Sequence, residues 1–217
     1  MKLRCWIREG IESVLLSPVL GGVFAAIGLI SKGFAHAIAA LPYYTLVGGI
    51  ILSLILTTAV YLTDVPMHLA LGSTRRNVKF GIQTVTVILA VGTILLTLVL
   101  CLVLPSDPAG QLLPLLPAAF PLMLSICKLG SISGCVSAIH PKAGRVFAST
   151  IVFFVCGATG GLVGAMAADG TLPDLQQMQT WGSTTGFWAV LLAVLVLLTV
   201  IELQLQQRLL KTYEVRF

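Results

Sequence analysis

Between residues 64 and 82 the apolar character of the chain gives way to the polar, basic stretch DVPMHLALGSTRRNVKFGI. Its residue types come in an order with physical content. Asp64 is placed to cap a short helix over 65–71, with Pro66 in the first turn, where a missing N–H is tolerated. Gly72 is a natural stop for that helix. Ser73 or Thr74 can then cap a second helix that opens at Arg75 and Arg76. The two adjacent guanidiniums offer planar, bidentate recognition; as plain charges they anchor topology. The remaining chemistry-bearing residues are scattered. His36, His68 and His140 stand alone and read as solvated side chains. Cys5, Cys101, Cys127, Cys135 and Cys156 show neither metal-ligand spacing nor a paired framework, and read as small hydrophobes. There is no G-x-x-x-x-G-K-[ST] loop, no H-E-x-x-H and no G-x-S-x-G. No catalytic residue, metal or cofactor is therefore expected in this chain.

Composition decides what surrounds these residues. Of the 217 residues 57% are hydrophobic and 10% charged, and the mean hydropathy is +1.01. A soluble domain carries about 25% charged residues, so an integral membrane protein is expected. The net charge of +5 does not argue for nucleic acid, because the basic residues cluster at the ends of apolar runs.

The apolar runs predict an all-α polytopic fold: a single domain, 1–217, with six transmembrane helices. Residues 1–12 read as a basic amphipathic helix on the cytoplasmic surface, with Trp6 at headgroup level. The first span, 13–31, contains Pro18 and Gly21-Gly22, which would kink it or admit a close neighbour. Tyr43 and Tyr44 are expected at the outer interface, opening the second span, 43–62. The third, 82–104, is free of charge and long enough to cross a hydrocarbon core of about 30 Å. The fourth begins near Leu112, and Pro114, Pro117 and Pro121 argue against a regular helix in its outer half. Lys128 is an intramembrane charge if that span continues to Ile139, or a snorkelling interfacial lysine if it ends near Cys127. The run Gly130-Ser-Ile-Ser-Gly134 favours the early end, leaving 129–145 cytoplasmic. The fifth span, 146–168, carries a G-x-x-x-G pair, Gly160 and Gly164, suited to close helix contact. Residues 169–185 are polar, lack Lys and Arg, and read as an outer, re-entrant or plain surface segment. The sixth span, 186–205, runs into a basic tail, 206–217, with Glu202 in its last turns, solvated or paired with a basic group of the inner surface.

Charge sets the orientation. With the N-terminus inside, the inner segments hold Lys2, Arg4, Arg8, Arg75, Arg76, Lys79, Lys142, Arg145, Arg208, Lys211 and Arg216, against Lys32 outside. The positive-inside rule then places both termini and residues 64–81 in the cytoplasm.

In this setting Leu71-Gly72-Ser73-Thr74-Arg75-Arg76, between a second and a third span, resembles the G-x-T-R-R element of bacterial ABC transporter permeases of the type-two exporter class. The layout of basic start, six spans, polar segment between spans five and six and basic tail is similar too. Residues 129–145 depart from it, being longer than a tight inner turn. The resemblance implies that Asp64, Met67, His68, Gly72, Ser73, Thr74, Arg75 and Arg76 form a cytoplasmic coupling segment. That segment would touch a separately encoded ABC ATPase, which itself carries ATP and Mg. It further implies a second copy of the chain or a related permease, a bacterial inner (plasma) membrane location, and residues 169–185 as an outer gate. The uncharged spans suit export of amphipathic peptides or lipid-like molecules. Two other classes fit the layout: a six-span substrate-capture subunit of an energy-coupling-factor vitamin importer, and a membrane assembly protein that transports nothing.

Overall fold

The structure, a computed structural model, describes residues 2–104, 112–169 and 184–212. Every regular element among them is helical: α1 (Lys2–Leu15), α2 (Ser17–Lys32), α3 (Phe34–Ala39), α4 (Leu41–Leu62), α5 (Asp64–Ala70), α6 (Arg75–Val103), a 3-10 turn (Leu113–Leu115), α7 (Leu116–Ile139), α8 (Pro141–Asp169) and α9 (Thr185–Thr212). Among the described residues six stretches are long and apolar enough to cross a membrane: Arg4–Ile27, Leu41–Ala70, Arg75–Val103, Leu113–Ile139, Pro141–Gly161 and Thr185–Lys211. The expected all-α, six-span membrane architecture is thus observed. The expected outer segment falls mostly on residues 170–183, and the end of the basic tail on 213–217, outside the described residues.

Helices α4 and α7 form the centre, with α2, α6, α8 and α9 packed around them. Their crossing is close because α7 presents Gly130 and Gly134 to α4. A Cβ at Gly130 would lie 2.6 Å from the Leu54 carbonyl oxygen, and one at Gly134 would lie 2.7 Å from that of Thr58. Thr58 Oγ1 donates to the Gly130 carbonyl across the contact, at 3.2 Å. The Gly-Ser run therefore does not end the fourth span. Small residues within lipid mark helix contact, since they let backbones approach, and α7 continues through them to Ile139. Only His140 separates α7 from α8, so the long inner segment expected over 129–145 is a tight turn. The prolines are also accommodated. Pro114 lies in the 3-10 turn and Pro117 in the first turn of α7, where no N–H is needed, leaving only Pro121 inside the helix.

The N-terminal region divides at Leu16. Pro18, in the first turn of α2, cannot continue the hydrogen-bond ladder of α1. Helix α2 lies against α4, where Gly21 sits over Thr45 and Gly48 over the Gly21 backbone. Helix α1 lies along α6: Trp6 covers Gly81, Gly10 meets Ile88 and Val14 covers Gly92. Trp6 is 2% exposed and part of the core, so it is a packing residue and not the headgroup anchor expected. Tyr44 is likewise buried, with Ala40, Val47 and Ile51, where an interfacial ring was expected.

Helices α8 and α9 hold the bundle by one face and one end. Gly157, Gly160 and Gly161 have no other side chain or distant backbone within 4 Å of a Cβ position. Phe153, Phe154, Val190 and Val196 point outward. Among the described residues of α9 the buried ones are Glu202, Gln206, Leu209 and Leu210, all in its C-terminal half.

Candidate functional site

Two sets of functional side chains lie at the same end of the bundle, the end capped by α5. The first is the segment singled out from sequence. Asp64 opens α5 but does not cap it; the N-cap is Thr63, which makes no capping side-chain bond and whose Oγ1 donates to Asp64 Oδ1 at 3.0 Å. Helix α5 ends as expected. Gly72 takes φ +74°, its N–H donates to the Leu69 carbonyl at 3.0 Å, and the Ser73 N–H donates to the His68 carbonyl at 2.9 Å. These two bonds are the paired closure of a Schellman motif, which needs a left-handed residue at Gly72. Thr74 is then the N-cap of α6, its Oγ1 accepting from the Asn77 N–H at 3.4 Å, and Arg75 is the first helical residue. Val65 and His68 point into the bundle, while Met67 and Leu71 point out, and Arg76 at the start of α6 is exposed. His68 is 6% exposed, with its ring 4.4 Å from that of Trp6. A solvated histidine was expected; α1 covers it.

The second set is a polar network inside the bundle. Lys128 Nζ pairs with Glu202 Oε2 at 2.7 Å, the lysine 6% exposed and the glutamate 0%. Lys128 Nζ also donates to Gln83 Oε1. The other carboxylate oxygen, Glu202 Oε1, accepts from Gln206 Nε2 at 3.1 Å, Gln83 Nε2 at 3.2 Å and Tyr61 Oη at 3.4 Å. Gln206 Nε2 in turn donates to Tyr61 Oη. Lys128 is therefore buried and paired inside the bundle, in a helix that runs on to Ile139, and is not the exposed lysine at a span end that the snorkelling reading expects. Glu202 is paired and not solvated.

Helix geometry explains how four elements meet here. Glu202 and Gln206, at i and i+4, share one face of α9. Tyr61 is in the last turn of α4. At 1.5 Å per residue, Gln83 lies about 12 Å into α6 from Arg75, and Lys128 about 16 Å from the Ile139 end of α7. The spans alternate in direction, so these positions fall at a common depth. Apolar hydrocarbon cannot solvate a charge, so the two ions have to find each other and fill their remaining valences from neutral groups. Sequence reading paired Glu202 with no particular partner. The available signal was depth, because Gln83, Lys128 and Glu202 are isolated polar residues at similar distances from the same ends of three spans.

The network and the α5 segment are contiguous. Tyr61 is one turn from Asp64 along the chain, and the apolar cluster that contains Tyr61 also holds Trp6, Val65, Val78, Ile82 and Leu209. The residues into which α5 packs therefore adjoin those that surround the Lys128–Glu202 pair. Among the described residues, the groups of the buried network are joined by one ion pair and by hydrogen bonds to neutral side chains. No protein-family model, curated protein or solved structure matches the chain.

Proposed function

We propose that the chain is the membrane subunit of an ATP-driven ABC exporter, receiving force at α5 from a separate ATPase. The observation that carries this reading is the form of α5. It is a seven-residue helix, closed by Gly72 and followed at once by the Thr74-capped start of a spanning helix. It is anchored inward by Val65 and His68 and presents Met67 and Ala70 outward, with the exposed Leu71 directly after it and the exposed Arg76 in the first turn of α6. A short helix with a buried face and an outward apolar face, followed by the basic first turn of α6, suits the transfer of a push from a soluble partner to two spans.

In this reading the α5 end faces the cytoplasm, as the distribution of Lys and Arg supports. Two copies related by an axis along the membrane normal enclose the path. The unfilled glycine face of α8 (Gly157, Gly160, Gly161) suits close contact with a second copy or with lipid. An apolar groove between α6 and α7, lined by Leu98, Leu116, Pro117 and Phe120, supports a lipid-like or amphipathic peptide cargo. Residues 169–185, of which 170–183 lie outside the described residues, are proposed as the outer gate. The vitamin-importer and assembly-protein alternatives place the contact elsewhere or need none, and no observation favours them.

The test is reconstitution of the chain with a candidate ABC ATPase from the same organism. The proposal expects ATP hydrolysis to be faster in proteoliposomes that contain both subunits than with the ATPase alone, and the Gly72→Val variant to abolish that difference while still inserting. Hydrolysis indifferent to this chain overturns the proposal.

A further inference from the structure

Where α1 crosses α5, three side chains of metal-binding type converge. Cys5 and Glu9, at i and i+4, share a face of α1. Cys5 Sγ lies 3.6 Å from Glu9 Oε1, His68 Nε2 lies 3.9 Å from the same oxygen, and the three donor atoms are all within 4.8 Å of one another. We propose that Cys5, Glu9 and His68 form a zinc site that fastens the N-terminal helix to α5.

Four observations carry it. The spacing fits: a tetrahedral ion with Zn–S of about 2.3 Å and Zn–N and Zn–O of about 2.0–2.2 Å sets its ligand atoms roughly 3.3–3.7 Å apart. Small rotations of the Cys5 and Glu9 side chains close the remaining gap. The donor set of thiolate, imidazole and carboxylate is the borderline mixture that zinc takes, in preference to magnesium or calcium. Glu9 Oε2 and His68 Nε2 are shielded from solvent and have no hydrogen-bond partner, although His68 is more than nine-tenths buried. The local charge is also unbalanced. Asp64 lies within electrostatic range of both Glu9 and Cys5; Arg8 is the cation within range of Cys5, and its guanidinium is engaged by Glu12, with Nε–Oε1 at 2.6 Å. A cation answers all of these. Stacking of His68 on Trp6, and of Trp6 over Gly81, holds the imidazole in place before any ion arrives. Cys5 is exposed and gives the ion a way in. On binding, its thiol proton is released to solvent and the sulfur lone pair forms the new bond. The fourth position is left for water.

The sequence does not disclose this site, because its third donor comes from a different helix with no fixed spacing from the first two. The inference does not depend on the ATPase proposal; it concerns only how α1 is held.

The experiment uses full-length protein in detergent, stripped with a chelator and returned to chelator-free buffer. Zinc is titrated against a chromophoric competitor, and cobalt is added separately to look for a thiolate-to-cobalt charge-transfer band. One zinc per chain and that band are expected. Cys5→Ser, Glu9→Gln and His68→Gln should each weaken binding by more than the 10–100-fold that loss of a supporting group alone produces. Zinc should also slow alkylation of Cys5 by a small maleimide at least tenfold, without changing that of Cys156. Should His68→Gln fail to fold, Cys5→Ser decides, since its side chain is exposed and its loss leaves no cavity. No zinc taken up, equal uptake by Cys5→Ser, or alkylation of Cys5 indifferent to zinc overturns the site.

Discussion

Replacing Lys128 with Met should be among the most damaging single changes in the chain, and replacing Glu202 at the same time should repair most of the loss. The ion pair is at 2.7 Å and essentially sealed from solvent. At an effective dielectric of about 20, two unit charges at that distance attract by about 6 kcal/mol. Desolvation of the two ions opposes this by several kcal/mol each, so the net value of the intact pair is small. Removing one partner alone forfeits the attraction and strands the other charge, which costs about 3–5 kcal/mol. Removing both, as in Lys128→Met with Glu202→Leu, strands only Tyr61, Gln83 and Gln206. These can bond to one another, because Gln206 already donates to Tyr61. The double variant should therefore be less than about 3 kcal/mol from wild type, with most of that attributable to unpaired amide groups. The assay is equilibrium unfolding in mixed detergent micelles, read as a double-mutant cycle over the two single variants and the pair. A coupling energy well above the ~0.3–0.5 kcal/mol scatter of independent sites is expected. If Lys128→Met lies within ~1 kcal/mol of wild type, or the double variant loses the sum of the singles, the pair is not formed as described.

Other substitutions probe different joints of the same structure. Gly130→Ala brings a Cβ to 2.6 Å from the Leu54 carbonyl oxygen and onto Thr57 Oγ1, so it should lose about 1–3 kcal/mol in the same assay, whereas Gly157→Ala, which meets nothing within its own chain, should lose nothing. Thr74→Ala removes the N-cap of α6 and should lose ~1 kcal/mol, seen as faster amide exchange confined to residues 75–78. Gly81→Leu should expel Trp6 from its seat, exposing α1 to trypsin at Arg4 and Arg8; unchanged cleavage would contradict the packing of α1 on α6. Gly160→Leu meets nothing within its own chain. It should leave the monomer folded but lower the mass of the particle in nanodiscs from two copies to one, and an unchanged dimer would remove α8 from the proposed contact.

What could be read from sequence follows from the kind of physics involved. Helix class and span number are written in composition, because a lipid-facing helix has to be apolar along its length, and the α5–Gly72–Thr74 punctuation is written in local backbone preference. The misreadings at Trp6, Tyr44 and Lys128 share one cause. An aromatic ring or a long cation near a span end is equally suited to the lipid headgroups and to a protein neighbour, and only the tertiary arrangement selects between them. Trp6 is covered because Gly81 leaves a seat of its shape on α6, and Lys128 is paired because α9 delivers Glu202 at its depth. The Gly130–Gly134 run was ambiguous in the same way. Within water it would end a helix, but within lipid it binds α7 to α4. The Cys5–Glu9–His68 cluster depends on the crossing of α1 and α5, which no local pattern encodes.

The claim that this chain is driven from its α5 end is tested most directly by photo-crosslinking from Met67, whose side chain projects outward from α5. A photoreactive amino acid at position 67, and in parallel at Leu113 on the opposite end of the bundle, would be illuminated in native membranes and the adducts identified by mass spectrometry. Attachment of an ABC ATPase subunit at position 67 and not at 113, with a yield that changes when ATP is trapped, is the predicted result. An ATPase captured equally from both positions, or none from position 67, would contradict it.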